Sequence, residues 1–121
     1  MQQEHRHHAI DYVELTVTDL EAAKGFYSSA FGWQFNDYGP EYAGIANPSA
    51  GGPEVGGLRV DSQVSAGGPL VLLFSADLDG TAAAVSGAGG EVVNGPYDFP
   101  GGRRFHFTDP SGNELGVWAE Q

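Results

Sequence analysis

The chain has 121 residues, 40% of them hydrophobic, which is enough to bury the core of one globular domain. It has no cysteine, which excludes disulfides and thiolate chemistry, and its net charge of −11 disfavours binding to nucleic acid or anionic membranes, because their phosphates would be repelled. The sequence has no apolar run long enough to cross a bilayer and no signal-peptide pattern, so we expect a cytoplasmic protein.

Residues 1–9 show no apolar periodicity and are expected to form a flexible tail. The tail contains His5, His7 and His8, and imidazole is a common metal ligand. A metal site also needs a fold that holds its ligands, which this segment does not offer, so we expect no metal there. Residues 10–121 are expected to form a single domain.

The first half of this domain opens with a strand pattern followed by a helix pattern. Val13, Leu15 and Val17 alternate with polar residues, which predicts a half-buried strand covered by the helix. Asp19 is placed to cap the helix, whose apolar residues recur at intervals of three and four until Gly32. Short strand-like pieces divided by Gly and Pro follow the helix.

Two Gly-rich segments, at 48–53 and 65–69, separate these strands and the two halves of the chain. A phosphate-binding loop needs a following lysine, and the only lysine in the chain is Lys24, far from both segments. Both segments are therefore predicted to be linkers.

The order of elements repeats in the second half. A strand pattern from Leu70 leads to Asp77, a short helix, a Gly-Gly pair at 89–90 and another strand. An alternating strand at 103–108 then enters a DPSGN turn, and a final strand returns from it. Each half is thus predicted to be a strand, a helix and three strands.

The repeat, with VTDLEAAKGFYSSAFGW in the first half and DFPGGRRFHFTDPSGNELGVW at the end, resembles the vicinal oxygen chelate superfamily. This superfamily contains glyoxalase I, extradiol dioxygenases, and bleomycin and fosfomycin resistance proteins. The resemblance implies an α+β fold in which two βαβββ modules form a curved mixed sheet around a cup, with the helices on the convex face. Module one would span about 10–62 and module two about 69–120, and family members usually pair as homodimers.

Chelating members of this superfamily hold a divalent metal through His or Glu side chains at four positions of the cup. By the resemblance, these positions fall on Tyr12, Leu70 and Gly116 and near Gly57. Leucine and glycine side chains cannot coordinate a metal, and a lone tyrosine is a poor ligand. We therefore expect a cup with no metal and no other cofactor.

The cup lining follows from strand parity, because side chains two residues apart share a face. Two candidate acid–base groups, His106 and Glu14, fall on the inward rows. The predicted ligand-binding residues combine aromatic, apolar and polar groups, as small-molecule sites do; they are Tyr12, Thr16, Tyr42, Leu72, Phe74, Arg104 and Trp118. Tyr97 and Phe99, in a loop at the rim, are secondary candidates for ligand contact.

Each charged candidate also has a purely structural interpretation. His106 can exchange a proton near neutral pH, with Glu14 holding one tautomer, but a structural histidine and a surface carboxylate would give the same pattern. Buried in the cup, Glu14 would need Arg104 or His106 as its partner. Arg104 could bind an anion of a ligand or form a surface salt bridge, and Trp118 could stack on a ligand or pack in the core.

Three function classes remain open at this point. The first is a metal-free, homodimeric protein that sequesters an aromatic or cationic small molecule, as bleomycin resistance proteins do. The second is a lyase, isomerase or dioxygenase-like enzyme that uses His106 and Glu14 as acid and base. The third is an assembly domain whose cup is filled by its own side chains.

Overall fold

The computed structural model describes residues 7, 12–46, 54–64 and 70–120. The predicted linkers, and the predicted tail apart from His7, lie outside these residues. Two modules with the same order of elements make up the described chain, which confirms the predicted α+β class and its internal repeat. Module one contains β1 (Val13–Val17), α1 (Leu20–Phe31), β2 (Gln34–Asp37), β3 (Tyr42–Ala46) and β4 (Glu54–Val60). Module two contains β5 (Leu72–Phe74), α2 (Leu78–Gly87), β6 (Glu91–Phe99), β7 (Gly102–Thr108) and β8 (Glu114–Ala119).

Each module has its own four-stranded mixed sheet. The strand order is β1-β4-β3-β2 in the first sheet and β5-β8-β7-β6 in the second. In both sheets the strand that precedes the helix pairs in parallel with the last strand of its module, and the remaining pairs are antiparallel. Equivalent strands therefore occupy equivalent places in the two sheets.

Both helices begin where the sequence predicts. The Asp19 carboxylate accepts a hydrogen bond from the backbone N–H of Ala22 at 3.0 Å, which satisfies a donor at the start of α1. The helix ends at Gly32, whose φ of 72° lies in the left-handed region that favours glycine. Asp77 caps α2 in the same way, accepting from the N–H of Gly80 at 3.1 Å.

The apolar face of α1 packs against both modules rather than against its own sheet alone. Leu20 and Ala23, in its first turns, are buried with residues of the first sheet such as Val17. Phe26 and Tyr27, one turn later, belong to the core of module two, which they share with Phe105, Phe107, Leu115 and Val117. The prediction that α1 simply covers β1 was therefore incomplete, because half of its apolar stripe belongs to the other core.

The DPSGN turn also joins the modules. Asp109 is only 5% exposed, and its carboxylate accepts from the Tyr27 hydroxyl at 2.8 Å and from the Asn113 side chain at 3.0 Å. The Asn113 amide donates as well to the backbone carbonyl of Thr16 at 2.7 Å, and the N–H of Thr18 donates to the Ser111 hydroxyl at 3.0 Å. A turn in module two is thus fixed to the junction of β1 and α1.

Neither helix in the described part of the chain has the length and apolar character needed to span a membrane.

Candidate functional site

The predicted cup residues lie on the sheet faces opposite the two cores. In module one, Tyr42 pairs with Arg59 and Arg59 with Thr16, and this row lies opposite the buried residues Val17 and Leu58. In module two a corresponding row crosses all four strands. It consists of Tyr97, Arg104, Trp118 and Phe74.

The polar groups of the first face form one connected cluster. The hydroxyls of Tyr12 and Tyr42 are 2.5 Å apart, and Tyr42 donates to the Glu14 carboxylate at 2.9 Å. The Arg59 guanidinium lies 3.5 Å from Glu14 and donates to the Thr16 hydroxyl at 3.1 Å. Burial, followed by the hydrogen bonds with Tyr12 and Glu14, raises the pKa of the Tyr42 hydroxyl well above its ordinary value. Tyr42 is therefore a neutral hydrogen-bonding group at physiological pH.

Two glycines on this sheet face leave space for polar side chains of neighbouring residues. A Cβ at Gly57 would collide with the Tyr42 hydroxyl, and a Cβ at Gly44 would collide with the Glu54 carboxylate. The hydroxyl of Tyr38 donates to the same carboxylate. A side chain at either position would displace these polar groups, so glycine gives them room above the strand backbone.

On the second face, four side chains form a hydrogen-bonded chain. The Nε of Arg104 donates to the Tyr97 hydroxyl at 2.5 Å, and this hydroxyl is 3.0 Å from Nε2 of His106. The other ring nitrogen of His106, Nδ1, is 2.9 Å from the Glu114 carboxylate. We call this group the Arg–Tyr–His–Glu chain.

The expected partnership of Glu14 with His106 or Arg104 is not what the structure contains. Among the described residues, Glu14 pairs with Tyr42 and Arg59 inside module one, and His106 pairs inside module two. Glu114, the carboxylate partner of His106, was not among the predicted site residues. Parity could have found it, because Glu114 precedes Gly116 by two residues on β8 and therefore shares the inward face.

Aromatic rings surround the arginine of this chain. The Arg104 guanidinium lies 5.4 Å from the Tyr97 ring centroid and 5.3 Å from that of Phe99. Phe74 meets Trp118 edge to face at 5.1 Å, and Phe99 meets Trp118 at 6.3 Å. We call Phe74, Trp118 and Phe99 the aromatic row. Phe74 is 58% exposed, so this row is accessible from solvent.

The residues at the family's four metal-ligand positions do not fit a divalent metal. Gly57 and Gly116 have no side-chain donor atoms, and a Cβ added at Gly116 would lie 2.5 Å from the Leu72 side chain. Leu70 cannot coordinate, and the Tyr12 hydroxyl is engaged with Tyr42. No three His, Cys, Asp or Glu side chains of the described chain group together as a metal site.

A cavity of 410 Å³ lies between the modules, lined mainly by side chains on the core side of β1 and of the strand region around β5, and also by Phe74 of the cup row. Apolar residues of both modules line it, among them Val13, Leu15, Trp33, Val71, Leu73 and Phe74. Of the predicted ligand-binding residues only Phe74 contributes to it. The cavity is therefore distinct from the polar clusters, and the described residues that line it include no group for acid–base chemistry.

Comparison with known proteins adds evidence from sequence. The family sequence model of the glyoxalase/bleomycin resistance protein/dioxygenase superfamily matches residues 9–117 of this chain. The anthracycline biosynthesis protein DauV of Streptomyces sp. (strain C5) is 34% identical over 113 residues, which cover 90% of this chain and 40% of DauV. The chain spans less than half the length of the curated relatives it matches.

Two solved structures are similar over nearly the whole chain. TnmS3, an antibiotic binding protein from Streptomyces sp. CB03234, is 25% identical with a TM-score of 0.68, and the match covers 97% of this chain and 100% of TnmS3. A glyoxalase/bleomycin resistance protein/dioxygenase family enzyme from Burkholderia phytofirmans PsJN has a TM-score of 0.77 at 18% identity, covering 93% of this chain and 98% of the other. At that identity the second likeness concerns the fold alone.

Proposed function

Because the chain belongs to the glyoxalase/bleomycin resistance protein/dioxygenase superfamily, we propose that it binds a planar aromatic small molecule in the cup between its modules, without a metal. A binding role needs exposed apolar surface with a few polar groups that orient the ligand. The inward faces of the two sheets have both.

The exposure of large apolar side chains on the cup rows is the observation that carries this proposal. Tyr12 is 40% exposed, Leu72 39% and Phe74 58%, although soluble domains usually bury such residues. In module two, Phe74 and the adjacent Trp118 form a surface on which a flat ring system can stack, and each such contact contributes about 0.5–1.5 kcal/mol beyond burial.

Charge favours a ligand that carries a positive group. The net charge of −11 attracts cations over a distance, and the Glu14 carboxylate on the cup face of β1 could accept from an ammonium group. TnmS3 is described as an antibiotic binding protein and DauV as an anthracycline biosynthesis protein, so ring systems bearing amino groups are natural first ligands to test. Metal independence, a homodimer and a cytoplasmic location remain predictions.

Calorimetric titration with an anthracycline that carries an amino sugar tests the proposal. We expect saturable binding that chelators do not change, and Trp118→Ala should weaken it at least tenfold, about 1.4 kcal/mol, because the stacking surface is lost. Val93→Ala is the control, since Val93 is exposed and belongs neither to the aromatic row nor to the lining of the cavity. No binding by the unmodified protein, or equal affinity in the Trp118 variant, would overturn the proposal.

A further inference from the structure

The Arg–Tyr–His–Glu chain has only one arrangement of protons when His106 is neutral. The guanidinium of Arg104 can only donate, so the Tyr97 oxygen accepts from it at 2.5 Å. The Glu114 carboxylate can only accept, so Nδ1 of His106 carries the imidazole proton. Nε2 is then a lone pair 3.0 Å from the Tyr97 oxygen, and the Tyr97 O–H must donate to it.

This arrangement gives the Tyr97 proton a path to a base that the hydroxyl already contacts. Transfer from the Tyr97 hydroxyl to Nε2 of His106 gives guanidinium, phenolate, imidazolium and carboxylate in series. Each charge then lies beside opposite charges, and the phenolate accepts hydrogen bonds from both Arg104 and His106. A reactive hydroxyl, a base within hydrogen-bond reach and a third group that orients the base are the features of an activated acid–base site.

Tyr97 belongs to the cross-strand row that also contains Trp118 and Phe74 of the accessible aromatic row. Strand register places Tyr97, Arg104, Trp118 and Phe74 side by side across four strands. The His106 side chain behind them is 13% exposed, so the imidazole is shielded while Phe74 faces solvent. A flat molecule stacked on the row would therefore meet Tyr97 and the remaining N–H groups of Arg104 at its edge.

We propose that Tyr97 is a catalytic acid–base that transfers a proton to and from an aromatic carbon acid, a compound with an acidic C–H next to a carbonyl. The Tyr97 oxygen takes the C–H proton as its own proton passes to Nε2 of His106. The C–H electron pair becomes the enolate, whose oxygen is stabilised by the Arg104 guanidinium. Return of the proton from His106 through Tyr97 to carbon or oxygen completes an isomerisation that needs no oxidant or metal.

This activity goes beyond the proposed binding function, with which it shares the aromatic row. It also differs from an acid–base pair of His106 and Glu14, because the carboxylate is Glu114 and the group that meets the substrate is Tyr97.

The neutral ketone 1-phenylpropan-2-one in D2O tests the activity, because it joins an aromatic ring to a benzylic C–H next to a carbonyl and carries no charge that the acidic protein would repel. Proton NMR should show benzylic exchange that rises with protein concentration. Tyr97→Phe should lower the protein-dependent rate about a hundredfold or more, with the calorimetric affinity for this ketone kept within about threefold. The Tyr38→Phe variant, which lacks a hydroxyl in module one, should catalyse the exchange at the same rate as the unmodified protein.

Exchange at the buffer rate in the unmodified protein, or an unchanged rate in Tyr97→Phe, would overturn the proposal. A second measurement does not depend on turnover: nitrogen NMR at neutral pH should find the His106 proton on Nδ1, and a proton on Nε2 instead would also overturn it. If anthracycline binding is lost in Trp118→Ala and retained in Tyr97→Phe, the binding function is supported whether or not Tyr97 transfers protons. The two proposals can therefore fail separately.

Discussion

The buried carboxylate of Asp109 shows how much structure one residue can determine. Four donors reach it: the Tyr27 hydroxyl, the Asn113 amide, and the backbone N–H groups of Ser111 and Asn113. These hydrogen bonds compensate a charge that would be costly to bury alone. Burial, and then the nearby Asp109 charge, raise the pKa of the Tyr27 hydroxyl far above its ordinary value of 10.

This shift predicts a loss of stability at alkaline pH. Folded Tyr27 keeps its proton and unfolded Tyr27 releases it near pH 10, so its contribution to the free energy of unfolding is intact below pH 10 and falls above it, by up to about 1.4 kcal/mol per pH unit. Urea unfolding at pH 8, 10 and 11 should show a smaller decline in Tyr27→Phe than in the unmodified protein.

Tyr27→Phe should also lower stability at pH 8 by about 1–3 kcal/mol, because Asp109 loses a buried donor. Phe26→Leu, which removes buried apolar contacts from the same core but no hydroxyl, is the control and should retain the unmodified alkaline decline. An identical decline in the Tyr27 variant would show that this hydroxyl does not resist ionisation.

At the level of elements, local sequence rules account for most of the fold. Alternation located most of the strands, and Asp19 and Asp77 located the helix starts, because these signals act within a few residues. The prediction of a rim loop around Tyr97 and Phe99 was wrong, because both residues lie in β6. The partners of the candidate site were harder to predict. Tyr97 reaches His106 where the register of β6 against β7 shifts between Asn94 and Tyr97, and alternation does not reveal such irregularities.

The second packing role of α1 was also beyond the sequence. The stripe that contains Phe26 and Tyr27 predicts an apolar face, but periodicity does not say which module covers it. Contacts between distant parts of the chain decide that question.

Replacement of glycine by alanine should have opposite effects on stability inside α1 and at its C-cap. Gly25 lies within the helix with nothing within 4 Å of an added Cβ, so Gly25→Ala should stabilise the protein by about 0.5–1 kcal/mol. Gly32 has φ 72° at the helix end, where Gly32→Ala should cost about 1 kcal/mol through backbone strain. Thermal unfolding checks both, and a Gly32 variant as stable as the Gly25 variant would contradict this account.

At the scale of the whole molecule, α1 makes the two modules depend on each other. The ring centroids of Phe31 and Phe26, on α1, lie 5.6 Å and 6.0 Å from the ring centroid of Phe107 on β7. The turn after β7 is hydrogen-bonded to the backbone of Thr16 and Thr18. Because the module-two core is closed by a helix of module one, neither module can unfold and leave its partner's packing intact.

The chain should therefore unfold in one cooperative transition. Trp118→Phe leaves Trp33 as a fluorescent reporter in module one, and Trp33→Phe leaves Trp118 as a reporter in module two. Adding Phe107→Leu to each should lower both unfolding free energies equally, by about 1–2 kcal/mol, although Phe107 belongs to module two. Val93→Ala, at a position 46% exposed, should change either value by less than about 0.5 kcal/mol. A lower unfolding free energy reported by Trp118 alone would mean that the modules unfold separately. If they unfold together through the core that α1 shares, both reporters must show the same decrease.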